Sequence, residues 1–184
     1  MDEPASALDV GGTRAIEEAQ AALAHFAARF DHHRLRGLRA KLGLVTEEPD
    51  DAALAEALLT WMHDAGADFT NTFRTLSAPG GVDAPLMGDA AFAAWHAQWP
   101  ARLAREASAA DERQALMQRH NPAVIPRNHL VEAALSAAAD EGDLAPLEAL
   151  LAALDAPFDH TRVRPAFEAP PAPGGAPYRT FCGT

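Results

Sequence analysis

The sequence predicts an all-α fold: an irregular bundle of about eight helices followed by a proline-rich extended tail. Three observations carry that expectation. Alanine dominates the apolar residues, which make up 48% of the 184-residue chain, and alanine enters a helix without losing side-chain entropy. β-branched residues are sparse, with isoleucine only at Ile16 and Ile125, so a sheet would have little to pack with. Apolar residues recur at three- and four-residue spacing between capping residues. The length suits one domain with a real core.

Each element follows from its own signals. Residues 1–13 read as a flexible leader, because Pro4 and the Gly11–Gly12 pair disfavour a helix. A helical domain is then expected over 14–155. Its first helix places Ile16, Leu23, Phe26 and Phe30 on one face. A second runs through Leu35, Leu38 and Leu42 and stops at Gly43. Asp50 or Asp51 caps a third, which sets Leu54, Leu58, Trp61 and Met62 in one stripe and ends near Gly66. Asp68 caps a short fourth helix with Phe69, Phe73 and Leu76.

A loop comes next, marked by Pro79, Gly80, Gly81, Pro85 and Gly88. Asp89 opens a fifth helix with Phe92, Trp95, Trp99 and Leu103 along one side. Pro100 removes a hydrogen bond inside that pattern, which predicts a kink or a break. A sixth helix, near Asp111 to His120, ends at Asn121–Pro122. The seventh opens with Pro126 in its first turn, runs through Leu130, Val131, Ala134, Leu135 and Ala138, and stops at Gly142. Asp143 caps the eighth, with Leu147, Leu150, Leu151 and Leu154, and Pro157 closes it. The tail, 156–184, holds Pro157, Pro165, Pro170, Pro171, Pro173 and Pro177. Such a composition opposes a helix or a central strand, so the tail is expected to be extended, either disordered or laid across another surface.

Charge narrows the classes of partner. The formal net charge of −11 argues against non-specific nucleic-acid binding. Arg29, Arg34, Arg36, Arg39 and Lys41 form a local basic cluster, read as a solvated or docking face, with anion or nucleotide contact as the alternative. Lys41 is the only lysine. No window approaches the ~20 apolar residues of a membrane span, and the acidic N-terminus lacks the apolar segment of a secretory signal. The single cysteine, Cys182, permits no internal disulfide, which suits a reducing, cytoplasmic location.

The usual catalytic constellations are missing from the sequence. It has no GxxxxGK[ST] and no GxGxxG after a strand, and Lys41 closes a helix and so is not a strand lysine. His32 and His33 are adjacent and point apart around a helix. His129 and Glu132 are spaced i, i+3 but need partners from other helices, and there is no HExxH or CxxC. No catalytic, cofactor-binding or metal-ligating residue is therefore assigned. Cys182 has no positioned base, and a terminal thiol suits exchange with a second cysteine, so it is the one candidate redox residue. Trp61, Trp95, Trp99, Phe69, Phe73 and Phe92 read as core or interface.

Several segments then read together: RAKLGL at Arg39 to Leu44, ADFTNTFRTLS at Ala67 to Ser77, FAAWHAQWPARLARE at Phe92 to Glu106, and the long run from Asn121 to Asp159. The last carries NPxxxxRN…EAA…GD…LL…PFD, the most specific part. In this order, with a cysteine three from the end, they resemble the C-terminal region of the selenoprotein O family, also called YdiU. The likeness covers nearly everything from Phe26 onward. It implies a parent several hundred residues long with a protein-kinase-like, pseudokinase-related core that binds ATP with Mg or Mn in a flipped orientation. Such a core transfers AMP to protein hydroxyls. The family's catalytic residues lie upstream of the matched region, and none maps onto this chain. The family's terminal cysteine or selenocysteine is followed by two small residues, typically serines, where this chain has Gly183 and Thr184. The resemblance further implies that Cys182 pairs with a cysteine of the kinase-like core.

The leading reading is thus the helical C-terminal part of a protein adenylyltransferase, as a truncated gene product or a fragment, partnered by the kinase-like core. The alternative is a free-standing helical interaction module without catalytic activity. On the leading reading an apolar face is expected at the surface, uncovered where the kinase-like core packed, with Trp95 and Trp99 contributing to it; shielded tryptophans in a monomeric chain would favour a self-contained domain.

Overall fold

A computed structural model describes residues 9–79, 82, 84–162 and 164–172. Among these there are helices, turns and loops but no strand. Helix α1 (Asp9–Lys41) is followed by α2 (Asp51–Ala65), α3 (Phe69–Leu76), α4 (Ala84–Met87), α5 (Ala90–Leu103) and α6 (Ala110–His120). Helix α7 (Asn128–Ser136) widens into a π-type turn (Ala137–Glu141), and α8 (Ala145–Leu154) and α9 (Pro165–Glu168) complete the order. The chain divides into two compact units at Leu38–Arg39. The first contains most of α1, whose residues 12–34 are all exposed.

The second unit holds the core. Phe92, Leu58, Phe73, Leu42 and Val124 are almost fully buried. Helices α2 and α5 pack together, with Trp61 against Phe92 at 4.7 Å between ring centroids and Trp95 stacked on Trp99 at 5.9 Å. Both indoles find acceptors: Trp95 Nε1 donates to the Leu54 carbonyl and Trp99 Nε1 to the Leu42 carbonyl, each at 2.9 Å. A buried Trp needs such a partner, and each of these fixes a helix end or loop to α5. Helix α7 packs on α8 and buries Ala134, Leu150 and Ala153.

Caps act largely where the sequence places them. Asp68 accepts from Asn71 N–H at 2.8 Å and Asp89 from Phe92 N–H at 2.9 Å. Gly66 and Gly142 close helices in the left-handed region. Gly43 does the same at φ 74, and a Cβ there would stand 3.2 Å from Met117 Cγ, so glycine serves both backbone and packing.

Several expectations are corrected. The first two helices are one, α1, and it begins at Asp9, inside the expected leader, passing through Gly11 and Gly12. Glycine weakens a helix by about 1 kcal/mol per residue but does not forbid it, and the run from Arg14 to Lys41 contains no proline. The loop after α3 contains the short α4. Helix α5 runs through Pro100 without a break, because Trp99 and Arg102 on either side are buried and hold the last turn in place. Pro126 precedes α7, whose N-cap is Arg127. Asp143 caps α8 from one residue further out than expected, through Ala145 N–H. Leu151 is exposed. The tail is not wholly extended, since α9 forms one turn with Pro165 in its first position, where a missing N–H costs nothing. Trp95 and Trp99 are buried, and the large exposed apolar residues include Ile16, Leu23, Phe26 and Phe30 of α1.

Candidate functional site

The polar side chains of the second unit gather into locks, and the segments singled out in the sequence supply them. The first joins the end of α1, the 42–50 loop, α2 and α5. Asp51, read in the sequence as a cap, is fully buried. Its Oδ1 accepts from Arg102 Nε at 2.7 Å, and its Oδ2 accepts from Arg39 Nε and Glu48 N–H at 2.9 Å each. Arg102 Nη1 donates to Glu106 Oε1 at 2.8 Å, one turn along. Glu106 in turn accepts from the Val45 and Thr46 amides and the Thr46 hydroxyl. Arg105 forms a forked pair with Glu48 on the outer side.

This geometry sets the charge states. Burial pushes the Asp51 carboxyl up, but hydrogen bonds from Arg102, Glu48 N–H and Arg39 outweigh it, and the carboxyl titrates below its ordinary range. The same balance of burial against bonds from Thr46 and Arg102 holds Glu106 low. Burial opposes the Arg102 charge, and Asp51 and Glu106 more than restore it. Groups fixed this firmly in their charged forms make poor general acids or bases near neutral pH.

A second lock surrounds Asn121, the first residue of the NPxxxxRN segment and fully buried. Its Nδ2 donates to the Lys41 carbonyl at 2.9 Å and to Ser77 Oγ at 2.7 Å. Lys41 Nζ returns a bond to Asn121 Oδ1 and another to the His120 carbonyl, at 3.2 and 2.7 Å. The ammonium also lies 5.5 and 5.3 Å from the ring centroids of Phe69 and Phe73, within cation–π range. Burial lowers the Lys41 pKa. The only lysine is thus held by carbonyl oxygens and aromatic faces.

The third lock uses the RN end of that segment. Arg127 is buried and forks onto Asp68 at 2.7 and 3.1 Å. Its Nη2 also donates to the Glu168 carbonyl at 2.8 Å, as Asn71 Nδ2 does at 3.1 Å. Burial raises the Asp68 pKa, but the Arg127 and Asn71 bonds outweigh it and leave it lowered. Arg74 pairs with the Glu168 carboxylate at 2.7 Å. Residues 157–162 and 164–168 therefore run as a strap along the unit. Pro157, of the PFD segment, accepts from Ala123 N–H at 2.7 Å, and His160 Nε2 lies 2.9 Å from the Asn121 carbonyl.

The remaining candidate residues are not drawn into these locks. His32 and His33 lie exposed in α1. His129 and Glu132 sit on α7, and no group of three or more His, Cys, Asp or Glu among the described residues is placed to hold a metal ion. Arg29 and Arg36 are exposed on α1, whereas Arg39 and Lys41 turn into the locks. The basic cluster therefore does not act as one face. Cys182 lies outside the described residues. Sequence reasoning missed the Asp51–Arg102–Glu106 lock. Its one local signal was the i, i+4 pair Arg102–Glu106 beside the helix end.

Fold and locks together define an all-helical region whose buried charges serve its own architecture. Comparison with known proteins places that region. The sequence profile described as protein adenylyltransferase SelO matches residues 8–155. The protein nucleotidyltransferase YdiU of Halalkalibacterium halodurans is 46% identical over 170 residues, which cover 92% of this chain and 35% of that protein. The YdiU proteins of Alkaliphilus metalliredigens and Syntrophotalea carbinolica are 47% and 44% identical over 170 and 173 residues, again 35% of each. The chain belongs to the SelO family, and it spans about a third of the length of the curated relatives it matches.

Proposed function

We propose that this chain is the C-terminal helical region of a SelO-family protein adenylyltransferase, serving as packing support for a kinase-like core that binds ATP and Mg or Mn and transfers AMP to protein hydroxyls. The observation that carries this reading is the use already made of the cations drawn into the locks. Lys41, Arg39, Arg102 and Arg127 are each engaged by carboxylates or carbonyls of the same unit, so none is held open for a triphosphate. The activity for which the relatives are named and the one-third coverage support assigning the chemistry to the part of the family protein outside this region. A cytoplasmic setting fits the single cysteine and the absence, among the described residues, of any helix long and apolar enough to cross a membrane.

Cys182 enters the proposal as a redox thiol. The strap is anchored at Glu168, fourteen residues before it. The entropic cost of closing a loop grows slowly with its length, so the fourteen-position separation does not by itself oppose a disulfide to a distant cysteine.

The test is a graft. In the Halalkalibacterium halodurans relative, the matched region is deleted in one variant and replaced by this chain in another. AMP transfer should be lost on deletion and retained in the graft. Full activity after deletion would overturn the reading.

A further inference from the structure

We propose that the leucine face along α8, from Leu144 to Leu151, recruits the protein that accepts AMP, by binding an apolar segment of it that carries lysine or arginine along one side. This rests on the reading of the chain as one region of a larger adenylyltransferase.

Helix α8 buries one side and leaves another uncovered. Leu150 and Ala153 are buried, whereas Leu144 is 53% and Leu151 59% exposed. Leu144 stands before the first turn with helical dihedrals, φ −88 and ψ −9, so the helical repeat runs through it. On that repeat Leu144 lies about 20° from Leu151. Half-buried Leu147 and Leu154 follow at about 40° and 60°, on the side that leads to Leu150. On the opposite side Asp155 and Glu148, both exposed, lie about 40° and 60° from Leu151. Beyond them come only Ala152, Ala145 and Ala149. An uncovered apolar stripe rimmed by polar groups marks an interaction site.

Charge names the chemistry of the occupant. Over 128–156, which spans α7 and α8, the chain carries Glu132, Asp140, Glu141, Asp143, Glu148 and Asp155, with no lysine or arginine. The cations on either side are already used. Arg127 is buried on Asp68, Arg162 pairs with Asp159, and Arg164 donates to the Ala156 and Asp159 carbonyls. The stripe therefore has an acidic edge and no cationic one, and complementary potential favours a partner that brings cations beside apolar side chains. A second copy would bring the same carboxylates, on a chain of formal net charge −11. Permanent packing against the rest of a family member is disfavoured too. Surfaces buried for good are depleted of Asp and Glu, and Glu148 and Asp155 each stand one turn from an exposed leucine. An exchangeable protein partner covers the leucines and supplies the counter-charge while it is bound. On the functional reading that partner is the acceptor of AMP, which has to be held while its hydroxyl reaches the core.

Two probes test the proposal: a helical leucine–lysine peptide with one serine, and its leucine–glutamate counterpart. On the isolated chain, fluorescence anisotropy should show the lysine peptide bound about tenfold more tightly. Leu144→Ser with Leu151→Ser should weaken that binding about tenfold. Both side chains are more than half exposed, so the fold should survive the change. Glu148→Gln with Asp155→Asn should weaken binding and flatten its dependence on salt. Unchanged binding in both variants would mean that the peptide settles anywhere on an acidic chain, and overturns the proposal. So does equal binding of the two peptides, or a chain that pairs with its own copy through this face instead. In the active graft, the lysine peptide should be the better AMP acceptor through a KM about tenfold lower, an advantage that the leucine substitutions erase. An active graft that uses both peptides equally overturns the acceptor surface alone, as does one whose remaining part covers the leucines and excludes the lysine peptide. An inactive graft overturns the functional reading and the acceptor role with it.

Discussion

Asp51 shows how much a single side chain decides in this fold. It has no solvent exposure and holds two guanidinium groups and one amide. Removing one member of a buried ion pair strands its partners and typically costs about 3–5 kcal/mol. Asp51→Ala should therefore lower stability in urea by about that amount, and Arg102→Ala should do similar damage by removing the one guanidinium that Asp51 and Glu106 share. A loss under about 1 kcal/mol for either would show that the network is solvated and of little weight. The lock also sets a pH dependence. Asp51 and Glu106 titrate below their ordinary values of 3.8 and 4.5 in the folded state. A depressed carboxyl pKa adds stability that is fully present above the ordinary value and lost as pH falls through the folded one. Urea midpoints should hold from pH 7 to about 5 and fall below about 4.5. Asp51→Asn with Glu106→Gln should flatten that acid limb, and an unchanged limb would assign it to other groups.

At the scale of elements, the strap formed by residues 157–162 and 164–168 depends on Arg127. Lysine there would keep the charge but lose the fork onto Asp68 and the reach to the Glu168 carbonyl, for which a guanidinium is shaped. Arg127→Lys should leave the helical content unchanged and expose the strap to limited proteolysis. Unaltered cleavage would mean that Arg74 and Pro157 hold the strap by themselves. Much of this level was legible in the sequence. Asp68, Asp89, Gly43, Gly66 and Gly142 announce helix ends through chemistry local to each, and the stripe from Leu54 to Met62 announces its buried face. The strap and the merged α1 were not legible. Proline content describes what a tail cannot do, not what it lies on, and Gly11–Gly12 lowers helix propensity without ending a helix that neighbouring residues favour. Many bonds of the locks join residues more than 40 positions apart, such as Asp51 with Arg102 and Asn71 with Glu168. Spacing rules do not reach that far. The segments that carry the resemblance turn out to supply them: RAKLGL, ADFTNTF, WPARLARE and NPxxxxRN each contribute a member.

For the whole molecule, the all-helical class follows from composition, because alanine-rich stripes between caps leave a sheet no material. The unexpected feature is the placement of apolar surface. The tryptophans Trp95 and Trp99 are sealed by their own hydrogen bonds, and large exposed apolar residues lie along α1 and α8 instead. Cys182 gives a second test at this scale. With one cysteine in the chain, mild oxidation should give a disulfide-linked dimer on non-reducing electrophoresis that Cys182→Ser abolishes. A thiol that resists labelling until the chain is denatured would contradict its part in the proposal.

On the proposed reading, this region supports adenylyl transfer without performing it. Incubation of the isolated chain with isotopically labelled ATP, Mg or Mn, and a protein acceptor puts that to the test. No AMP-modified product should form. Labelled product that disappears when Lys41, Arg102 or Arg127 is substituted in an otherwise folded chain would contradict it.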